Sequence, residues 1–197
     1  MKKKNSRKHR AARSLMILLG LLLALQFFNV YNLAPVAALR DKERELGIDK
    51  TEEIARAQYT KALEIVLSGR EDLLLVTEQR SDLFQGWQVD SAWQLRREPA
   101  QSVQIEASSS GNEHATHLWL CGWVANPEVT ELELRVRCRQ WYGMDGGDLD
   151  IYLTVEDFKD WQGERVFLLA SEKIPATYTL QEIYLITEQG ERLLWRQ

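Results

Sequence analysis

Beyond residue 72 the chain alternates. Apolar side chains recur at every second position in short runs separated by Gly, Pro and polar turns, the pattern of strands with one buried face. Residues 73–79 (LLLVTEQ) open the series. Over residues 86–96, Trp87, Val89, Trp93 and Leu95 alternate with Gln88, Asp90, Gln94 and Arg96 and are expected to share one face; Pro99 ends the run. Val103, Ile105 and Ala107 follow, and the polar stretch 108–113 (SSSGNE) is expected as a loop. Residues 116–124 (THLWLCGWV) are apolar on both faces, as a central strand requires. A turn at Asn126-Pro127-Glu128 leads into the clearest strand, 130–142. There Leu132, Leu134, Val136 and Cys138 point one way, and Glu131, Glu133, Arg135, Arg137 and Arg139 point the other. Further strands are predicted at 149–155, 165–170, 180–187 and 191–195, the last two as a hairpin about Glu188-Gln189-Gly190. This spacing predicts a mainly β protein, with an antiparallel β-sandwich or a strongly curved sheet over 70–197. No long helical pattern interrupts the strands, which argues against a doubly wound α/β fold.

Ahead of the strands the period becomes helical. Asp49 and Glu52 stand in a capping-box arrangement. Ile54, Ala57, Lys61 and Ile65 then lie along one side of a helix expected over 50–67, broadened by Tyr59, Leu63 and Val66. Ser68-Gly69 would end it, with Gly69 in the left-handed C′ conformation. Together with the charged stretch 40–47 (RDKERELG), this gives one amphipathic juxtamembrane helical segment at 40–69.

Neither period describes residues 14–30 (SLMILLGLLLALQFFNV), an unbroken apolar run behind a basic tail. The tail, residues 1–13, holds Lys2, Lys3, Lys4, Arg7, Lys8, Arg10 and Arg13. The other 18 basic residues face all 29 acidic ones, so the rest of the chain carries a net charge of −11. An acidic domain is repelled by phosphate, so no nucleic acid is expected as a partner. The tail reads instead as the cytoplasmic flank of a membrane segment. An uncleaved signal-anchor at 14–39 is the preferred reading, with Leu15, Leu19, Leu22, Phe27 and Phe28 in the lipid bilayer and residues 33–39 extending the span. The alternative is a signal peptide cleaved near Ala38, after the small-residue site Val36-Ala37-Ala38. Both place the C-terminal domain outside the cytoplasm, at the plasma membrane with a cytoplasmic N-terminus or secreted.

Candidate chemistry is sparse. Cys121 and Cys138 invite a disulfide outside the cytoplasm. If their strands form a direct hairpin about Asn126-Pro127, however, Cys121 faces about residue 133, too far for a bridge whose Cα atoms lie within about 7 Å. Two buried free thiols are the expectation. Glu113, His114 and His117 form an E-H-x-x-H group that lacks further ligands. Asp145, Asp148 and Asp150 could offer oxygens to calcium, but their spacing departs from the EF-hand loop and a solvated hairpin tip is preferred. All seven tryptophans lie from Trp87 onward; Trp87, Trp93, Trp119 and Trp123 are expected in the core. Trp141 shares the charged face with Arg135, Arg137 and Arg139, a possible interaction face for an anionic or aromatic partner, although a salt-bridged outer surface is preferred. No catalytic residue and no cofactor are expected.

The segments GWVANPEVTELEL (122–134) and FLLASEKIPATYTLQEIYLITEQGERLLW (167–195) resemble small exported or membrane-anchored β-domain proteins of Gram-positive bacteria. The resemblance covers roughly the last 80 residues. Where those proteins carry an Asp-x-x-Gly turn, this chain has Glu188-Gln189-Gly190. Such domains have no characterised function, so the resemblance implies fold and envelope location and adds no site. The functional expectation is a non-catalytic, membrane-tethered extracytoplasmic interaction or accessory domain with an envelope protein partner. The alternative is an envelope enzyme or carbohydrate-binding module using exposed Trp or the acidic loop.

Overall fold

The computed structural model describes residues 3–27, 32–83, 85–112, 115–140, 149–170 and 176–195. Two helices, α1 (Lys3–Phe27) and α2 (Pro35–Leu46), precede the strands. The strands are β1 (Glu52–Thr60), β2 (Leu63–Arg70), β3 (Leu73–Asp82), β4 (Gly86–Arg96), β5 (Val103–Asn112), β6 (Ala115–Val124), β7 (Val129–Gln140), β8 (Leu149–Val155), β9 (Lys159–Trp161), β10 (Glu164–Ala170), β11 (Ala176–Thr187) and β12 (Arg192–Trp195). They form three antiparallel four-stranded sheets. Sheet A has the order β1-β2-β3-β4, sheet B β5-β6-β10-β9, and sheet C β12-β11-β7-β8. The fold is mainly β, as the alternation predicts.

Two hydrophobic cores make the arrangement three layers deep. One gathers Ile65, Leu67, Leu74 and Val76 of sheet A with Trp119, Cys121, Trp123 and Val166 of sheet B. The other gathers Val103, Leu118, Leu120 and Phe167 of sheet B with Leu132, Leu134, Val136 and Ile183 of sheet C. Sheet B is therefore the middle layer. This explains why β6 is apolar from Leu118 to Val124: Trp119, Cys121 and Trp123 enter one core and Leu118, Leu120 and Val124 the other. Gly122 is required there, because a Cβ would lie 2.0 Å from the Gln104 carbonyl oxygen and 3.0 Å from the Phe167 ring.

The sheet assignment decides between a direct hairpin about Asn126-Pro127 and strands in facing sheets, in favour of the latter. β6 pairs with β5 and β10, whereas β7 pairs with β8 and β11, so the turn carries the chain from sheet B to sheet C. Cys121 is a buried free thiol whose side chain packs in the A/B core, on the side of sheet B away from sheet C. The side chain of Cys138 lies outside the described residues.

Residues 50–67 are not helical. They form the β1–β2 hairpin, and the β domain begins well before residue 70. Their helix-compatible spacing loses to burial: Leu63 through Gly69 are all buried, which requires a strand covered on both faces. Gly69 consequently sits inside β2 rather than at a helix end. The expected capping box does not form either. Thr51 instead donates its N–H (2.8 Å) and hydroxyl (2.5 Å) to the buried Glu43 carboxylate, and Arg40 bonds Glu43 and the Thr51 carbonyl (3.0 Å).

The helix lies upstream, in α2. Pro35 opens it and Gly47, at φ 67°, caps it through bonds from the Gly47 and Ile48 N–H groups to the Arg44 and Glu43 carbonyls. Ala38 and Leu39 are buried, and the helix packs against β4 and β3. The end of the expected 14–39 span thus belongs to the folded domain. The polar stretch 108–112 also departs from expectation: it continues β5 in register with β6.

A β-bulge corrects the reading of β4. Ser91 lies opposite Glu78 and Val89 opposite Gln79, which leaves Asp90 as the extra residue. The alternation resets at that point. Trp93 and Leu95 pack into the A/B core, where Trp93 meets Trp119 edge-on at 4.7 Å, while Val89 lines a cavity beneath α2. Trp87 is half-buried rather than in the core.

Candidate functional site

The outer face of sheet C holds the charged residues singled out in the sequence. Alternation along β7 presents Glu133, Arg135 and Arg137 to solvent, and the register places Asp150 of β8 and Glu182 and Tyr184 of β11 beside them. Arg135 donates to Asp150 (Nε to Oδ2, 3.0 Å) and to Glu182 (Nη1 to Oε2, 3.2 Å). Arg137 donates to the other Asp150 oxygen at 3.0 Å. Tyr184 donates its hydroxyl to Glu182 at 3.0 Å, and the Arg192 guanidinium lies 3.7 Å over the Tyr184 ring while bonding Glu133. The face is a continuous cross-strand ion-pair lattice.

Its electrostatics follow from these bonds. Hydrogen bonds from Arg137 and then Arg135 hold the Asp150 carboxyl below the usual carboxylate range. Arg135 and then the Tyr184 hydroxyl do the same for Glu182. The Asp150 and Glu182 carboxylates in turn strengthen the protonated form of Arg135. These arginines are engaged within the sheet. Arg139 contributes its backbone to β7, opposite Thr177, but its side chain and all of Trp141 lie outside the described residues.

Of the calcium candidates, Asp145 and Asp148 lie outside the described residues, and the Asp150 carboxylate already serves two guanidinium groups. Glu113 and His114 also lie outside them, and His117 contributes its backbone to β6 opposite Ser110. Among the described residues no group of three His, Cys, Asp or Glu side chains could hold a metal ion.

A cleft at the end of the A/B interface escaped the sequence reading. Its rim comes from two tight turns: Glu71-Asp72 between β2 and β3, and Gln162-Gly163 between β9 and β10. Glu71 (φ 50°) and Gln162 (φ 53°) both occupy the left-handed region that L side chains rarely adopt. Trp123, Trp161, Arg97 and Glu164 complete a cavity of about 160 Å³. The Trp161 ring lies against Gly69, where a Cβ would come within 2.8 Å of it. Arg97 closes the cleft. It grips Glu164 with two bonds (2.6 and 3.1 Å) and also donates to the Gln104 side chain (3.0 Å) and the Gln101 carbonyl (2.8 Å). The cleft is well under the ~300 Å³ usual for a small-molecule pocket. No local signal could have revealed it, because Arg97 and Glu164 stand 67 positions apart.

The Cys121 thiol is fully buried. Desolvation, and then the nearby Glu106 charge, pushes its ionisation far above that of an ordinary thiol, the reverse of what a nucleophile needs.

The predicted anchor residues lie on α1. Leu15, Met16, Ile17, Leu18 and Leu19 are 54–73% exposed, and Leu21 and Leu23 are exposed to a similar degree. Leu22 and Phe27 also fall within the helix, and Phe28 lies outside the described residues. No helix among the described residues is long and apolar enough to cross a membrane. The apolar part of α1, residues 14–27, rises about 21 Å at ~1.5 Å per residue, short of the ~30 Å of bilayer hydrocarbon.

Comparison with protein-family models, curated proteins and solved structures found no match for this chain. The likeness to Gram-positive β-domain proteins therefore rests on the sequence segments alone.

Proposed function

We propose that the chain is a non-catalytic, single-pass membrane-tethered domain that acts outside the cytoplasm as an interaction or accessory module of the cell envelope. One observation carries this reading: the apolar side chains of α1 are exposed on every side of the helix. Five consecutive exposed residues at 100° per residue sweep the whole circumference. A helix built for a protein groove would be apolar on one stripe only, whereas lipid accepts all faces. The sequence continues apolar through Phe28 and Val30. The basic residues ahead of the run hold that end in the cytoplasm. Retention of the tether is favoured over cleavage near Ala38, because Ala38 is buried within α2 and cutting there would remove the first turn of a packed helix.

The test is fractionation of cells expressing the chain with a C-terminal tag. The tagged protein should remain in the membrane pellet through a carbonate wash and be digested by protease added to spheroplasts. Recovery in the cytosolic fraction, or protection of the tag in intact spheroplasts, would overturn the proposal. Hydrolysis of envelope polymers by the purified chain would favour the enzyme alternative instead.

A further inference from the structure

The point where the tether enters the domain carries an unusual surface. Phe27 ends α1, and Asn32 is the next described residue. Four residues intervene, so the two Cα atoms lie at most about 18 Å apart even in an extended chain. Asn32 is held firmly. Its backbone forms a parallel bridge with Gly86, its carbonyl accepts the Trp87 N–H at 2.8 Å, and its side chain donates to Asp41 at 3.1 Å. The tether is thereby fixed to the β3–β4 hairpin at one end and to α2 at the other.

Large apolar side chains are exposed on both sides of this junction. Leu33 is 50% exposed and Val36 53%, one and four residues after Asn32; Leu83, three residues before Gly86, is 82% exposed. Half-buried Trp87 follows directly. Outside α1, the other exposed large apolar residues described are Tyr152, Leu193 and Leu194, all in sheet C. Sheet C is the far layer, about 20 Å from sheet A at ~10 Å per sheet spacing. Apolar exposure in the near layer is therefore concentrated where the chain leaves the anchor.

We propose that Leu33, Val36 and Leu83 form a second contact with the same bilayer, dipping into its interfacial layer and fixing how the domain stands on the membrane. The inference rests on the membrane-tether reading and extends it from attachment to orientation. Lipid is the occupant because the short connection confines this corner to the bilayer surface, whatever else the domain meets. Charge gives no competing attraction: with a net charge of −11 beyond the basic tail, the domain is repelled by anionic headgroups. Apolar insertion is what remains, and a Trp beside it suits the headgroup boundary. The sheet C face is then turned away from the membrane and presented outward.

The experiment uses the full chain reconstituted in phosphatidylcholine–phosphatidylglycerol vesicles. Single cysteines at Leu19, Val36, Leu83 and Leu194 are introduced in a Cys138→Ser background and labelled with an environment-sensitive fluorophore; buried Cys121 stays unlabelled. Lipids bearing a shallow spin-label quencher are then added. Emission at positions 36 and 83 should shift to the blue and be quenched, as at position 19, while position 194 stays unquenched. Quenching at 19 without quenching at 36 and 83 would overturn this inference and leave the tether intact. Loss of quenching at 19 would overturn the tether reading itself.

Discussion

Trp161 of β9 rests on Gly69 of β2, so the middle sheet and sheet A meet through an indole ring laid on bare backbone. A Cβ at position 69 would come within 2.7 Å of Ile54 Cδ1 and 2.8 Å of the Trp161 ring. The Ile54 methyl can turn aside, but the ring is confined in the cleft. Gly69→Ala should therefore destabilise the domain by about 1–3 kcal/mol through overpacking. Urea denaturation followed by tryptophan fluorescence checks this, and Trp161→Ala combined with Gly69→Ala should recover part of the loss. A fully additive pair would show that the two residues are not in contact.

Arg97 and Glu164 form the second tie between these layers. Arg97 is only 9% exposed at its side chain and satisfies groups on the β4–β5 connection as well as Glu164. Removing it takes a donor from the Gln101 carbonyl and one of two donors from the Gln104 amide oxygen, which keeps the Glu98 N–H at 2.7 Å. Arg97→Ala should cost about 1–3 kcal/mol, and Glu164→Gln clearly less, because Glu164 is partly solvated and a neutral amide still accepts. Thermal melts of both variants give the order, and equal losses would contradict it.

The sheet C lattice makes stability depend on acid. Asp150 and Glu182 have pKa values held below the usual carboxylate range in the folded chain. Their contribution is therefore full above the unfolded values, about 3.9 and 4.3, and is lost as pH falls through the lower folded values. Asp150→Asn should be less stable than the parent at pH 7. The difference should shrink below about pH 4, as the parent loses the same charge. Urea midpoints measured from pH 7 to pH 2 provide the test; a difference that does not change with pH would refute it.

Cys121 titrates in the opposite sense. Its pKa is raised in the folded chain, so the stability it reports is complete below the unfolded value of about 8.5 and declines as pH rises beyond it. In a Cys138→Ser background, the native chain should react with Ellman's reagent only as fast as it unfolds, and addition of urea should release one thiol. Rapid reaction of the folded chain would show that Cys121 is accessible.

How far these features were legible depends on the range of the interaction behind each. The runs at Val129 and Leu149 encode their strands locally, because a half-buried strand needs alternation whatever its neighbours, whereas the run at Leu73 opens on four consecutive apolar residues and is buried on both faces. The β11–β12 hairpin was equally readable from Glu188-Gln189-Gly190, where Gly190 takes φ 78°. Residues 54–65 misled because their Ala, Glu, Lys and Leu content suits a helix, and only the tertiary fold makes Leu63 to Gly69 a buried strand. Trp87 and Val89 were placed on the wrong face by a single extra residue, Asp90, whose bulge is visible only against β3. Arg135 and Arg137 were identified as a charged face, but their counter-ions Asp150 and Glu182 come from other strands.

By itself the sequence determined a mainly β domain, the position of most strands, the both-sided apolarity of β6 and the exposed apolar run behind a basic tail. These are one-dimensional properties, set by period and composition. Only the tertiary structure decided that the strands divide into three sheets, that β6 and β7 part at Asn126-Pro127, that α2 folds onto sheet A, and that Arg97 reaches Glu164. Each depends on which surfaces far apart in the chain bury one another, and a local pattern says that a face must be covered without saying what covers it.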